Sequence, residues 1–305
     1  MKIVVFGSER RVGALHGDVI VDLNATDSKI PANLSALIEA GPSALELAGR
    51  AVESAAVVCR ASDVKLHAPW PRKRIACAGG NYAAHSYGMA VSMLGAKDIT
   101  LETQAKRIRD DGLWGFWKNL DDVAGPGDEI PFPKRAKYFD YEGEVAIVIG
   151  KRGKDIAADR FAEYAWGVTL AVDWSIRDPE HVPQRPVNFN LMKNFDFSAS
   201  IGPCIVVGEL DPQNLDIETR VGGELRQSYN SKDMVYSFAE LLEYLSRDFT
   251  FVPGDMIFGG TGAGTAQDST KLNPDGSRPT HLFLHRGQAV ELSSARIGAL
   301  TSTVI

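Results

Sequence analysis

The stretch Tyr138–Gly150, YFDYEGEVAIVIG, decides how this 305-residue chain is organised. Its second half, Val145–Ile149, is a largely β-branched apolar run of the kind found in strands. Glu142 and Glu144 stand two residues apart around its start, so in an extended chain their carboxylates project to the same face, with Cα atoms roughly 6–7 Å apart. Two acids on one buried face repel each other unless a cation neutralises them. The stretch is therefore either an exposed edge strand with two solvated acids or part of a site for a hard divalent cation.

Length, charge and cysteine content limit the classes of protein that this chain can be. A chain of 305 residues can form one large domain, or a large domain with a small one. The net charge of −6, without a long basic block, argues against a nucleic-acid partner. Cys59, Cys77 and Cys204 are far apart, so neither a disulfide framework nor a zinc site is predicted. No apolar run has the length that crosses a membrane, and the apolar part of the N-terminus is too short for a signal peptide. We therefore expect a cytoplasmic protein without a membrane partner.

The pattern along the chain indicates a small N-terminal domain followed by a larger, strand-rich one. Residues 1–24 contain β-branched runs, and residues 33–56 have helical periodicity. The prolines and basic residues of 66–74 are typical of a linker. Farther on, strands outnumber helices and many are joined by tight turns, which indicates an α+β, mainly β fold. We predict a small N-terminal α/β domain over residues 1–70 and a main domain over residues 71–305.

Several features outside the organising strand are candidates for function. His85 follows two glycines and is predicted in the first turn of a helix. The weakly amphipathic segment 86–112 is either a mobile lid over a site or a surface helix. Asp173 ends an apolar strand, where an acid is uncommon without a partner. The next charged residues, Arg177 and Asp178, are predicted to form a structural ion pair.

A glycine-rich segment, Gly259–Gly264, follows another predicted strand. It is not a P-loop, because no Lys-Ser/Thr pair closes it. A dinucleotide site would need a helix next, but residues 267–280 read as a polar stretch without one. Nucleotide binding through this segment is therefore not predicted.

Several blocks of the sequence occur in the order seen in one known family. They are APWPRKRIACAGGNYAAH, the turn Gly125-Pro-Gly-Asp128, DYEGEVAIVIGK, AVDWSIRD, the region from Lys193 to Gly202-Pro203, YSFAELLEYLS and VPGDMIFGGTGAGT. Together they resemble the fumarylacetoacetate hydrolase family over nearly the whole chain. The resemblance implies that family's mixed β-sandwich roll in the main domain, and a homodimer.

The resemblance also implies a metal centre. In that family an E-x-E pair and a later aspartate bind a divalent metal, usually Mg²⁺ and sometimes Mn²⁺ or Ca²⁺. The matching residues here are Glu142, Glu144 and Asp173. Family members act on 2-oxo or 2,4-dioxo acids, which can chelate a metal ion through two adjacent oxygens. The expected chemistry is Lewis-acid catalysis on such a small-molecule substrate.

Further roles follow from the same resemblance. His85 is the expected general base, since an imidazole exchanges protons near neutral pH. Lys193 matches a lysine that stabilises negative charge on the substrate. Thr261 matches a threonine that contacts the substrate. Lys118 and Tyr82 are also predicted to bind the substrate, and for Tyr82, beside the His85 turn, a structural role is the alternative.

The sequence departs from the family pattern at several points. Many hydrolytic members carry a glutamate three residues after the histidine, where this chain has Gly88. A glutamine often found seven residues after the metal-binding aspartate is Glu180 here. A lid acid such as Glu102 is one hypothesis for the missing partner of the histidine. The length of segment 86–112 and the aromatic cluster Trp114–Trp117 suggest a bulky or aromatic-derived substrate.

The main functional prediction is a metal-dependent hydrolase that cleaves a C–C bond in an acylpyruvate or 2,4-dioxo acid, in the catabolism of aromatic or related compounds. The alternative is an isomerase, tautomerase or decarboxylase acting on a metal-chelated 2-oxo acid. Gly88 favours the alternative, because enolisation needs a proton shuttle but no activated water. A metal-binding relative without activity is the third possibility. The presence of the three carboxylates, His85 and Lys193 argues against it.

Overall fold

The computed structural model describes residues 1–71, 74–177 and 188–305. The helices in these ranges are α1 (Leu23–Thr26), α2 (Leu34–Glu39), α3 (Gly41–Ser54), α4 (Ala83–Leu94), α5 (Leu101–Asp111), α6 (Phe161–Tyr164), α7 (Phe189–Met192), α8 (Phe238–Leu245) and α9 (Ala266–Ser269). Single 3₁₀ turns cover Ala61–Asp63, Ala158–Arg160 and Ser231–Asp233. None of these helices has the length and apolar character needed to cross a lipid bilayer. The cytoplasmic location stays a prediction.

The strands are β1 (Lys2–Phe6), β2 (Arg11–His16), β3 (Val19–Asp22), β4 (Val58–Arg60), β5 (Leu66–His67), β6 (Arg74–Ala78), β7 (Gly115–Asn119), β8 (Asp128–Ile130), β9 (Tyr138–Asp140), β10 (Gly143–Ile149), β11 (Ala165–Asp173), β12 (Ser175–Arg177), β13 (Ala199–Val206), β14 (Asp216–Val221), β15 (Glu224–Asn230), β16 (Met256–Thr261), β17 (Ala289–Ser294) and β18 (Gly298–Val304). In the described parts of the chain they form one large sheet, one five-stranded sheet and the pair β12–β9. The large sheet has the order β4-β3-β2-β1-β13-β11-β10-β16-β6-β7, with β5 paired to β1. The smaller sheet has the order β15-β14-β17-β18-β8.

The organising strand β10 lies inside the large sheet, between β11 and β16. Every residue of β10 is buried, which explains why its sequence is continuously apolar after Glu144 instead of alternating. Val145 and Ile147 belong to one hydrophobic cluster, and Ala146 and Val148 belong to the other. The strand therefore has a core on each face, and the alternative of an exposed edge strand is wrong.

Helices and the small sheet cover the two faces of the large sheet. Leu37 of α2 and Ala48 of α3 belong to one cluster, with Ala146 of β10. Leu242 of α8 and Leu292 of β17 belong to the other cluster. This arrangement of two packed sheets with helices confirms the predicted α+β, mainly β class.

The N-terminal strands are part of the same large sheet as the strands of the main domain. Strand β1 pairs antiparallel with β13, where Ile3 lies opposite Ile205. The predicted boundary between residues 70 and 71 falls between β5 and β6, and the division into two domains stays a prediction.

A capping box stabilises the start of α8. Ser237 Oγ accepts a hydrogen bond from the Glu240 amide at 3.3 Å, and the Glu240 carboxylate accepts one from the Ser237 amide at 2.7 Å. This arrangement satisfies two of the free amides at the helix start.

Candidate active site

The three acids predicted as metal ligands converge on one point. One carboxylate oxygen from each of Glu142, Glu144 and Asp173 lies within 4.8 Å of the other two. Glu142 lies just before β10, Glu144 lies in β10, and Asp173 ends the neighbouring strand β11. The Asp173 amide donates to the Glu142 carbonyl at 2.8 Å, so the backbone brings the two side chains together although Glu142 is outside the strand. All three residues are buried.

Two buried lysines hold the carboxylates in place. Lys193 Nζ donates to Glu142 Oε2 at 2.5 Å, to Asp173 Oδ2 at 2.9 Å and to Ser175 Oγ at 2.5 Å. Lys118, which is fully buried, forms an ion pair with Asp173 Oδ1 and donates to the Ser198 carbonyl. Each oxygen of Asp173 therefore accepts from a different lysine.

The environments of the two glutamates differ. Burial raises the pKa of Glu142, but the charges of Lys193 and Arg177 outweigh burial and hold that pKa below its ordinary value. Glu144 accepts the Gly260 amide at 2.8 Å, and within the described ranges no lysine or arginine forms an ion pair with it. Burial, and then the charges of the two neighbouring acids, raise the pKa of Glu144 well above its ordinary value. Glu144 is thus the carboxylate whose charge is least compensated by the protein.

The donor set fits a hard divalent cation. Carboxylate oxygens are the ligands that Mg²⁺, Mn²⁺ and Ca²⁺ prefer. The buried cluster contains more acids than cationic side chains, so a bound cation would offset negative charge that remains. The acids are Asp140, Glu142, Glu144 and Asp173, and the cationic side chains are Lys118, Arg177 and Lys193. Mg²⁺ as the bound ion is a prediction.

His85 lies in the first turn of α4, as expected, and is buried. Its Nδ1 lies 2.7 Å from Oδ2 of Asp268, which is on α9. An ionised carboxylate can only accept a hydrogen bond, so Nδ1 donates and Nε2 is the ring nitrogen left to accept a proton. Residues 267–280 were predicted to contain no helix, and this is wrong at their start, where α9 carries Asp268.

Gly88 leaves the space that Asp268 fills. A Cβ atom at Gly88 would lie 2.8 Å from the Asp268 Cβ and 3.0 Å from the Asp268 carbonyl oxygen. Glu102 is exposed at the start of α5, and the acid that contacts His85 is Asp268, so the hypothesis that Glu102 replaces the missing glutamate is wrong. Glu180, the other departure from the family pattern, lies outside the described residues.

One signal in the sequence could have indicated the helix that carries Asp268. Thr265 and Asp268 have the spacing of an N-cap residue and the third residue of a helix. In the structure Thr265 Oγ1 accepts the Asp268 amide at 3.2 Å. The signal is short, because α9 contains four residues.

Asp140 fixes α9 against the metal-site strands. Its carboxylate accepts the amides of Ala266 at 2.8 Å and Gln267 at 3.0 Å, and also Arg177 Nε at 3.0 Å. Burial raises the pKa of Asp140, and the charge of Arg177 opposes this effect. Arg177 thus pairs with Asp140 and Glu142, while its predicted partner Asp178 lies outside the described residues.

The residues predicted to bind substrate lie in different places. Thr261 lines the cavity described below, and its hydroxyl donates to the Gly143 carbonyl at 2.9 Å and accepts from Gln227 at 2.8 Å. Lys118 lies behind Asp173 and Tyr82 is buried, and neither is among the described residues that line the cavity. The substrate-binding roles of all three stay predictions.

A cavity of about 670 Å³ opens at the acids. Glu142, Glu144, His85 and Lys193 line it, together with one face of α5. That face presents Gln104, Arg107, Ile108 and Asp111, which have the i, i+3, i+4, i+7 spacing of a helix side. The segment predicted as a lid, 86–112, therefore forms a wall of the cavity, and its motion stays a prediction.

Comparisons with known proteins agree with this architecture. The family model described as fumarylacetoacetate (FAA) hydrolase C-terminal matches residues 74–305. The human protein named oxaloacetate tautomerase FAHD2B, mitochondrial, is 31% identical over 315 residues, covering 100% of this chain and 92% of the relative. Oxaloacetate tautomerase YisK of Bacillus subtilis (strain 168) is 34% identical over 248 residues, covering 80% of this chain and 74% of the relative. The solved structure of a fumarylacetoacetate hydrolase (EaFAH) from psychrophilic Exiguobacterium antarcticum has a TM-score of 0.76 at 28% identity, covering 100% of this chain and 99% of that one. This chain, with its family-type fold, is an enzyme of the fumarylacetoacetate hydrolase family.

Proposed function

We propose that this enzyme is a metal-dependent tautomerase or isomerase that acts on a 2-oxo acid. The observation that carries the acid–base chemistry of the proposal is the buried pair of His85 and Asp268, whose imidazole lines the same cavity as the carboxylates of Glu142 and Glu144. Relatives named oxaloacetate tautomerases support this alternative better than the main prediction of a C–C hydrolase.

Tautomerisation requires the transfer of protons and no other atom. A base removes a proton from C3 of the keto acid, the C–H electron pair forms the C2=C3 bond, and the carbonyl π pair moves to the oxygen, which takes up a proton. His85 is the only imidazole among the described residues that line the cavity, and its Nε2 can take the proton and return it. Asp268 holds Nδ1–H, so it orients the ring and stabilises the imidazolium that forms.

The cationic side chains stabilise the charge that develops on the substrate. The Lys193 ammonium and the Arg177 guanidinium both line the cavity, where their positive charges favour a substrate carboxylate or an oxygen that becomes negative. A divalent cation held by Glu142, Glu144 and Asp173 would supply Lewis-acid polarisation of the substrate carbonyl. The buried surroundings strengthen each of these interactions, because little water screens them.

Hydrolytic family members often carry a glutamate three residues after the histidine, where this chain has Gly88. The absence of this glutamate does not by itself separate tautomerisation from hydrolysis. Asp268 supplies an acid partner for His85 from another part of the chain, so the imidazole is oriented as it would be in either reaction. The choice of tautomerase therefore depends on the relatives. A homodimer, a cytoplasmic location and a place in aromatic catabolism remain predictions of this proposal.

The test is an analysis of products from the Mg²⁺-loaded protein. Supplied with the enol form of oxaloacetate in D₂O, the enzyme should give the keto tautomer with its four-carbon skeleton intact and with deuterium at C3. Two carbon fragments would instead indicate hydrolysis, CO₂ would indicate decarboxylation, and either would refute the proposal. No turnover of any 2-oxo acid would support a metal-binding protein without activity.

Two variants test whether His85 and Asp268 take part in the reaction. His85→Ala should lower kcat by about 10²–10⁴-fold, the usual contribution of a general base. Asp268→Asn should lower kcat by about 10²-fold with a small effect on KM, because the amide can favour the wrong imidazole tautomer. Asp275→Asn makes the same change at an exposed acid of the same segment and should leave kcat unchanged. Equal kcat values for the two Asn variants would contradict the role of Asp268.

A further inference from the structure

We propose that the preferred substrate is a 2-oxo acid with an aryl group, or a similarly large apolar group, on the carbon next to the keto group. The inference rests on the proposed function, because the charged side chains of the cavity are taken to bind the oxo-acid end. It extends that function, because it predicts that oxaloacetate is a poorer substrate than an aryl analogue.

The size of the cavity is the first argument. Its volume of about 670 Å³ lies within the range of roughly 300–1,000 Å³ found for pockets that hold drug-sized ligands. A four-carbon dicarboxylate has about the volume of five or six water molecules at ~30 Å³ each, and so fills about a quarter of the space. The remaining volume can hold a ring attached to the oxo acid.

The chemistry of the wall is the second argument. Apart from the acids and their partners, the lining is largely apolar and includes Met89, Ile108, Phe189 and Met192. Arg107 is also in the lining, but it forms an ion pair with Asp111 at 3.3 Å. Both of these side chains are more than half exposed, so Arg107 is a solvated and partly compensated cation, which makes it a weak site for the second carboxylate of a substrate such as oxaloacetate.

The third argument is that the aromatic residues on one side of the cavity include a ring, the indole of Trp114, that the protein leaves partly exposed. Phe116 stacks on Phe189 at a centroid distance of 5.1 Å, and Trp114 contacts Phe189 at 5.2 Å. The Trp114 indole rests on Gly79, where a Cβ atom would lie 2.4 Å from the ring. Nevertheless 44% of Trp114 is exposed. Aromatic rings attract one another in stacked or edge-to-face geometry, so an aryl substituent would cover the exposed indole.

The neighbouring tryptophan of the cluster, Trp117, has a different environment. Trp117 lies in β7, three residues after Trp114, and packs against Phe249 at 4.7 Å and Phe251 at 5.7 Å. It is not among the residues that line the cavity. Trp117 is thus half-buried among ring partners away from the cavity, whereas Trp114 lines the cavity and is exposed.

Binding of a matched pair of unreactive ligands tests the inference without catalysis. Oxamate and oxanilate (N-phenyloxamate) share the same oxo-acid end and differ by one phenyl ring. By calorimetry with Mg²⁺ present, oxanilate should bind at least about tenfold more tightly than oxamate, as expected when a ring is buried. Trp114→Ala should remove most of this preference. Tyr244→Ala removes an aromatic side chain of similar exposure, 39%, on α8 and should preserve it. Equal affinities for the two ligands would overturn the inference.

Kinetics separate a failure of the inference from a failure of the proposed function. The KM for phenylpyruvate should be at least about tenfold lower than the KM for oxaloacetate. Trp114→Ala, and Ile108→Trp as a second variant that fills the cavity, should each reduce this ratio by about tenfold. Turnover of both acids with equal KM values would refute the aryl preference and leave the tautomerase intact. No turnover of either acid, together with tight and Trp114-dependent binding of oxanilate, would refute the tautomerase and support the aryl site.

Discussion

The close contact between Gly88 and Asp268 makes a single added methyl group informative. In Gly88→Ala the new Cβ would lie 2.8 Å from the Asp268 Cβ, whereas carbon atoms pack best at about 3.5–4.0 Å. Overpacking of this kind costs about 1–3 kcal/mol, and the better helix propensity of alanine returns about 0.5–1 kcal/mol. We expect Gly88→Ala to lower the free energy of unfolding by about 0.5–2 kcal/mol. We also expect a fall of about tenfold or more in kcat, because Asp268 must move relative to His85.

A second helical glycine supplies the matched control. Gly49 lies inside α3, and a Cβ atom there would meet no heavy atom within 4 Å. Gly49→Ala should therefore raise the free energy of unfolding by about 0.5–1 kcal/mol and leave kcat unchanged. Urea unfolding and steady-state kinetics measure both quantities. If Gly88→Ala stabilises the protein as Gly49→Ala does and retains wild-type kcat, then Gly88 does not make room for Asp268 and the reasoning is refuted.

Three further predictions concern the metal site, a helix cap and the thiols. Without metal, the Glu144→Gln variant should be at least as stable as the wild type, because burial and the neighbouring acids disfavour the charge of Glu144. Mg²⁺ should raise the Tm of the wild type but not that of the variant. If Mg²⁺ raises both Tm values equally, Glu144 is not a metal ligand. Ser237→Ala should lower the free energy of unfolding in urea by about 1 kcal/mol through loss of the α8 cap, and no change would argue against the capping box. In the native protein Cys59, which is half-buried, should react first with a thiol reagent, whereas Cys77 and Cys204 should react only on unfolding. Burial raises the pKa of both of these thiols, to about 11 for Cys204, and early labelling of either would contradict their burial.

The features that could be predicted from sequence depend on residues that lie close together along the chain. The apolar run after Glu144 predicts a buried strand, and the two-residue spacing of Glu142 and Glu144 predicts that their side chains meet. Asp173 could be added because an acid at the end of an apolar strand needs a partner. His85 could be placed in a first helical turn from the glycines before it.

The features that could not be predicted depend on contacts between distant parts of the chain. Asp268 and His85 are 183 positions apart, and nothing local to Gly88 tells which acid fills the space beside it. The burial of Lys118 against Asp173, 55 positions away, likewise follows from how β7 packs beside the acids and not from the sequence around the lysine. Such long-range pairs are set by the tertiary fold.

Asp140 links the two parts of the candidate active site. It stands two residues before Glu142, and its carboxylate holds the first turn of α9 and thereby Asp268. One short segment therefore contributes Glu142 to the candidate cation site and also anchors the helix that carries the acid partner of His85. On the proposed function, a substitution in this segment would disturb cation binding and proton transfer together, whereas a substitution among the aromatic residues that line the cavity could change the choice of substrate and leave both intact.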